Sequence, residues 1–123
     1  MPSMPKDDER EERIAMEIIV DAYGPEEQAL GWYTYLEERL TFPFQTSCVT
    51  KRAISPLQIG DAVEIIGMAP QEECTQEMFV ETPWGHQRTL AVPLAQLQVT
   101  HADDDSRQAV EDWHYWLNRG NEL

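Results

Sequence analysis

Three carboxylates fall within six positions of this chain, at Glu72, Glu73 and Glu77. They lie in a connection between two apolar stretches, Ile65-Ile66 and Met78-Phe79-Val80, and Gly67 and Pro70 punctuate its start. Charges that close repel one another unless water, salt or a cation screens them. Hard cations such as calcium take roughly six to eight oxygen ligands, chiefly carboxylates, carbonyls and waters. An acidic loop between rigid strands can supply several of these. A second pair, Glu37 and Glu38, falls in the last turn of a helix. Acids there oppose the helix dipole at a cost of roughly 0.3–1 kcal/mol each, which Arg39 offsets in part. A cation shared with the free carbonyls of that helix end would relieve the conflict. Each feature also has a plainer use. The turn could simply keep a sheet edge soluble, and surface acids tolerate helix ends. Asp61 and the run Asp103-Asp104-Asp105 are weaker candidates; the run's first use is to cap the helix that follows it.

The whole chain favours such a partner. Its 123 residues leave room for one domain with one core. Twenty-three acids against nine bases give a formal net charge of -14. That balance argues against nucleic acid and anionic membranes, which need a basic footprint, and favours cations or basic partners. Cys48 and Cys74 have no CxxC spacing and are too few for a secreted disulfide scaffold. Free thiols are the default, with a bridge between the two left open. No signal-peptide pattern and no apolar run of membrane-spanning length is present, so a soluble cytoplasmic protein is expected.

The sequence gives little support to an enzyme. It contains no GxGxxG or GxxxxGK phosphate loop, no HExxH and no GxSxG elbow. Glu72 and Glu73 could act as paired acid and base, but no nucleophile or oxyanion arrangement accompanies them. His86, His101 and His114 have no zinc-like spacing with the two cysteines. No DxDxDG loop occurs, so a calcium site here would not be an EF-hand.

The elements that must carry these acids can be read from periodicity and punctuation. Ile14, Ile18, Ile19 and Ala22 share one helical face, which predicts a helix over about 8–23, with Asp8 and Glu11 as an acidic capping box. Gly24-Pro25 ends it and opens a second helix, striped by Ala29, Trp32, Tyr33, Leu36 and Leu40. From Phe42 the pattern alternates, and four or five short strands follow up to Leu97, with Pro93 suggesting an edge. Such spacing suggests a small, strongly bent barrel. Ala109, Val110, Trp113, Trp116 and Leu117 stripe a final helix that Gly120 ends. Residues 1–6, with two prolines and no periodicity, are expected to lie outside any element.

Several motifs together resemble a known family. Near the N-terminus these are Asp21-Ala22-Tyr23, Glu27-Gln28-Ala29, Gly31-Trp32-Tyr33 and Phe42-Pro43-Phe44. Ser55-Pro56-Leu57, Gly67-Met68-Ala69-Pro70, Glu77-Met78-Phe79-Val80 and Leu90-Ala91-Val92-Pro93-Leu94 follow, and then Asp112-Trp113-His114-Tyr115-Trp116. From about Glu9 to Gly120 the chain resembles the small acidic calcium-binding proteins of the cyanobacterial CcbP type. The resemblance implies a protein that sequesters or senses cytosolic calcium, with helices packed on an SH3-like barrel. The ligand candidates come from the acid spacings and not from the family.

The expectation is therefore one α+β domain: a helix pair over 7–41, a small five-stranded SH3-like barrel over 42–100 and a C-terminal helix over 104–119. Calcium would be held by Glu37 and Glu38 in one cluster and by Glu72, Glu73 and Glu77 in another. A rival reading is a metal-free interaction module with Trp32, Trp84 and Trp113 lining an aromatic groove. Packing between helices and barrel is the commoner use of such tryptophans.

Overall fold

Asp7 begins the helical part of the molecule. It is extended, and its side chain accepts the Arg10 N–H at 3.0 Å, which caps helix α1 (Asp8–Arg13). Asp7 and Asp8 are both candidate caps in the sequence, and the cap is Asp7, not the Asp8 of the acidic capping box. That hydrogen bond, first among several contacts with Arg10, holds the Asp7 carboxyl below the usual range. The computed structural model describes residues 6–123, so most of the expectation for the first six falls outside the described residues.

Beyond Arg13 the helix widens into a π turn, Ile14–Ile18, with the Ile19 N–H donating to the Ile14 carbonyl at 3.0 Å. Helical structure ends there and not near position 23. The backbone shows the stop: Ile19 leaves the helical region, and Asp21 takes a φ of 59°, a left-handed conformation that aspartate adopts more readily than most residues. Helix α2 (Pro25–Arg39) follows Gly24 as expected. A Cβ at Gly31 would overlap the Ile18 carbonyl, so the missing side chain is what lets the π turn sit on α2.

The strands form two antiparallel sheets. Strands β1 (Phe44–Cys48), β2 (Ala62–Ile65) and β6 (Leu97–His101) make one sheet in the order β2-β1-β6. Strands β3 (Gly67–Met68), β4 (Phe79–Pro83) and β5 (Thr89–Pro93) make the other in the order β3-β4-β5. The α+β class stands, but among the described residues the strands number six and do not close into the expected five-stranded barrel. The reason lies at two corners. At Ile66, whose N–H donates to the Glu81 carbonyl at 2.9 Å, the chain leaves β2 for β3 and changes sheet. At the 3-10 turn Leu94–Gln96 it passes from β5 to β6 in the same way. Periodicity reads each of these extended runs as one strand. Pro93 ends β5, which is an edge strand as expected.

Helix α3 (Asp104–Asn118) is capped by Asp103, which accepts the Ser106 N–H at 2.7 Å. Trp32 and Trp113 are fully buried with ring centroids 5.1 Å apart, and they lock α2 onto α3. Trp84 is 42% exposed in the β4–β5 turn. The three tryptophans therefore do not line one groove, and the rival reading loses its site. Cys48 and Cys74 are buried and free, which closes the question of a bridge. No helix is long and apolar enough to cross a membrane among the described residues.

One carboxylate in the core belongs to none of the expected clusters. Asp112 is fully buried on α3 and accepts from Arg10 at 2.7 Å, from Arg13 at 2.8 and 2.7 Å, and from the Tyr35 hydroxyl at 2.7 Å. It joins α1, α2 and α3 at one point. The hydrogen bond to Asp112 is the main cause that raises the Arg13 pKa, and burial followed by the same carboxylate raises that of Tyr35.

Candidate metal centre

Helix α2 presents Tyr33 and Glu37 one turn apart, at the i,i+4 spacing that puts two side chains on one face. The Tyr33 hydroxyl donates to the Ala69 carbonyl at 2.8 Å, which ties α2 to the segment just after β3. Burial pushes the Tyr33 phenol up, and the charges of Glu37, Cys74, Glu72 and Glu81 push it further. Carboxylates from three elements thus act on one hydroxyl. Glu37 comes from α2, Glu72 from the 3-10 turn Gln71–Glu73, and Glu81 from β4.

The sequence did not single out Glu81. It stands opposite Gly67 on β3 and opposite Ala91 on β5, so its cross-strand neighbours are the two smallest residues. A Cβ at Gly67 would come within 4.0 Å of its Oε1. The space above this part of the sheet is left to the carboxylate. A signal did exist in the sequence, namely a glutamate inside the apolar run Phe79 to Thr82, but its meaning depends on the pairing register.

The expected residues divide. The charges of Glu37 and Glu72 both act on Tyr33, and Glu73 is next to Glu72 in the exposed acidic turn. Glu38 is the next residue on α2, about 100° further round the helix. It lines a different cleft, against the end of the π turn. Glu77 gives both oxygens to Arg52, at 3.1 and 2.7 Å, and this bidentate pair raises the Arg52 pKa. Asp61 accepts the Gln58 N–H at 2.8 Å within its turn, and Asp103 caps α3.

The carboxylates, the phenol and the Ala69 carbonyl offer oxygen, which suits a hard cation; the buried Cys74 thiol, which also acts on Tyr33, is engaged with the Phe79 backbone. Among the described residues no three His, Cys, Asp or Glu side chains stand close enough to hold a metal ion as they are. Glu37 and Glu72 are exposed and Glu81 is half-buried, so the first two have rotamers open to them. The residues present fit calcium, which tolerates irregular coordination, better than magnesium, which demands a near-ideal octahedron.

A small acidic α+β fold whose carboxylates from three elements act on one phenol has the character of a cation-binding protein. The family model Calci_bind_CcbP, described as calcium binding, matches residues 12–117. The chain belongs to the CcbP family of calcium-binding proteins. The crystal structure of Anabaena CcbP superposes with a TM-score of 0.86 at 40% identity, with 100% of each chain covered. A calcium-binding protein in the calcium-binding form superposes with a TM-score of 0.85, also at 40% identity and over 100% of both chains. No curated protein matches.

Proposed function

We propose that this protein is a non-catalytic cytoplasmic calcium buffer that takes the ion among Glu37, Glu72 and Glu81. The observation that carries the reading is the Tyr33–Ala69 hydrogen bond at 2.8 Å, which ties Glu37's helix to the chain leading into the Glu72 turn, with Glu81 on the neighbouring strand opposite Gly67; the charges of all three carboxylates act on that phenol. The Tyr33 hydroxyl and the Ala69 carbonyl offer further oxygens at the same place. Glu73 adds negative charge beside the site. Glu77 anchors the acidic turn through Arg52, and Glu38 belongs to a separate surface.

A buffer suits these positions better than a sensor that opens its core. Two of the three carboxylates are exposed, so an ion reaches them without parting the helices from the sheets. The net charge of -14 favours cation uptake, and each calcium bound relieves part of the self-repulsion. Two buried free thiols fit a reducing compartment.

Calorimetric titration tests the reading. Calcium is expected to give a saturable heat at sub-millimolar concentration that survives an excess of magnesium. Absence of that heat, or its complete loss to magnesium, would reject calcium-selective binding.

A further inference from the structure

The corner between the π turn, with the loop that follows it, and α2 holds a cleft of about 590 Å³ that the calcium reading does not use. Its floor includes Val20 and Leu30, which are 49% and 48% exposed. Tyr23, 88% exposed, stands beside it, and its N–H donates to the Glu27 carboxylate at 2.7 Å on the cleft's edge. Scattered exposed apolar side chains are ordinary, but two lining one cleft with an exposed tyrosine at its edge are a patch.

The charge around the patch is one-sided. Glu17, Asp21, Glu27 and Glu38 line the cleft, and Arg39 is the base that faces them among the described residues. Arg39 is already paired with Glu17 at 3.0 Å, which leaves three carboxylates without a cation there. A second copy of the chain would bring the same acids and the same net charge, so like charges oppose self-association. Nucleic acid is repelled for the same reason. The complementary occupant carries positive charges around an apolar anchor.

We propose that this cleft docks a basic segment of a partner protein, with an aliphatic or aromatic side chain of that segment seated on Val20 and Leu30 and its lysines or arginines meeting Asp21, Glu27 and Glu38. The apolar floor supplies affinity and the acidic rim supplies orientation and encounter rate. The cleft lies about 100° round α2 from Tyr33 and Glu37, and none of the proposed calcium ligands lines it.

The test uses the full chain, EGTA, about 150 mM salt to screen non-specific attraction, and a fluorescent peptide of alternating lysine and leucine. Anisotropy is expected to show saturable binding. Val20→Ser with Leu30→Ser should weaken it about tenfold, the scale of losing a buried anchor. Ile54→Ser with Ile59→Ser, at side chains 62% and 67% exposed elsewhere, should leave it unchanged. Glu38→Lys, a surface charge change that leaves the floor intact, should weaken it several-fold. Circular dichroism checks that each variant folds. Equal binding of a lysine–serine peptide would overturn the proposal as charge attraction alone. Equal weakening by the Ile54 and Ile59 changes would overturn it too. So would a dimer, seen by sedimentation, that Leu30→Ser dissolves, because the face would then be a self-interface.

Discussion

Asp112→Ala is expected to cost about 3–5 kcal/mol of folding stability, the scale of removing one member of a buried ion cluster. A loss of that size is a large part of the total stability of an ordinary domain. Asp112 accepts four hydrogen bonds from three side chains, and none of its surface is exposed. Without it, Arg10 and Arg13 keep their charges beside each other, and the Tyr35 hydroxyl loses its acceptor. The two arginines are only 21% and 17% exposed, so water can solvate them in part but not fully. Asp112→Asn should lose less, since the amide retains an acceptor but not the charge. Urea unfolding at neutral pH reads both. A loss below about 1 kcal/mol would place the cluster with surface ion pairs and not with buried ones.

Asp112 also marks a limit of reading the sequence. It falls on the buried stripe of α3, between Ala109 and Trp116 and next to Trp113, where a charge implies a buried partner. The partners, Arg10 and Arg13, look like the solvent face of an amphipathic helix until α1 is docked. The same is true of Glu81, whose small cross-strand neighbours Gly67 and Ala91 are set by register. Register is not visible in one sequence. Glu37, Glu38, Glu72, Glu73 and Glu77 stood out in the sequence because acids at a helix end and in a strand connection conflict with their surroundings locally. Their surroundings in the fold were not legible: Glu38 lines the cleft beside the π turn and Glu77 pairs with Arg52. Helices α2 and α3 were legible through caps and stripes. The two sheets were less so, because the corners at Ile66 and Leu94–Gln96 interrupt no periodicity.

The second large effect concerns the proposed ligands. Changing Glu37, Glu72 and Glu81 together to glutamine should raise the melting temperature in EGTA, since three mutually repelling charges become neutral. The same variant should lose the stabilisation that calcium gives. For the unaltered chain that gain is about 2.7 kcal/mol at a hundredfold excess over Kd, provided calcium binds only the native state. Scanning calorimetry at fixed ionic strength separates this gain from general salt screening. Glu77→Gln is the control. It should lower stability by weakening the Arg52 pair and leave the calcium-induced rise in place. A triple variant that keeps the full rise would remove these three residues from the site.

Tyr33 offers the most direct measurement. Its folded pKa is raised by burial and by the surrounding carboxylates, above an unfolded value of about 10. Its protonated form therefore contributes stability that is fully present below that pH and is lost as the pH rises through the folded value. A divalent cation among Glu37, Glu72 and Glu81 would offset their charge and favour the phenolate. NMR of the ring carbon that bears the Tyr33 hydroxyl, followed against pH with and without saturating calcium, reports this one group, and Tyr33→Phe assigns the signal. The account predicts that calcium lowers the Tyr33 pKa. An unchanged Tyr33 titration in a protein that calorimetry shows to be calcium-loaded would contradict it, because the ion would then lie elsewhere.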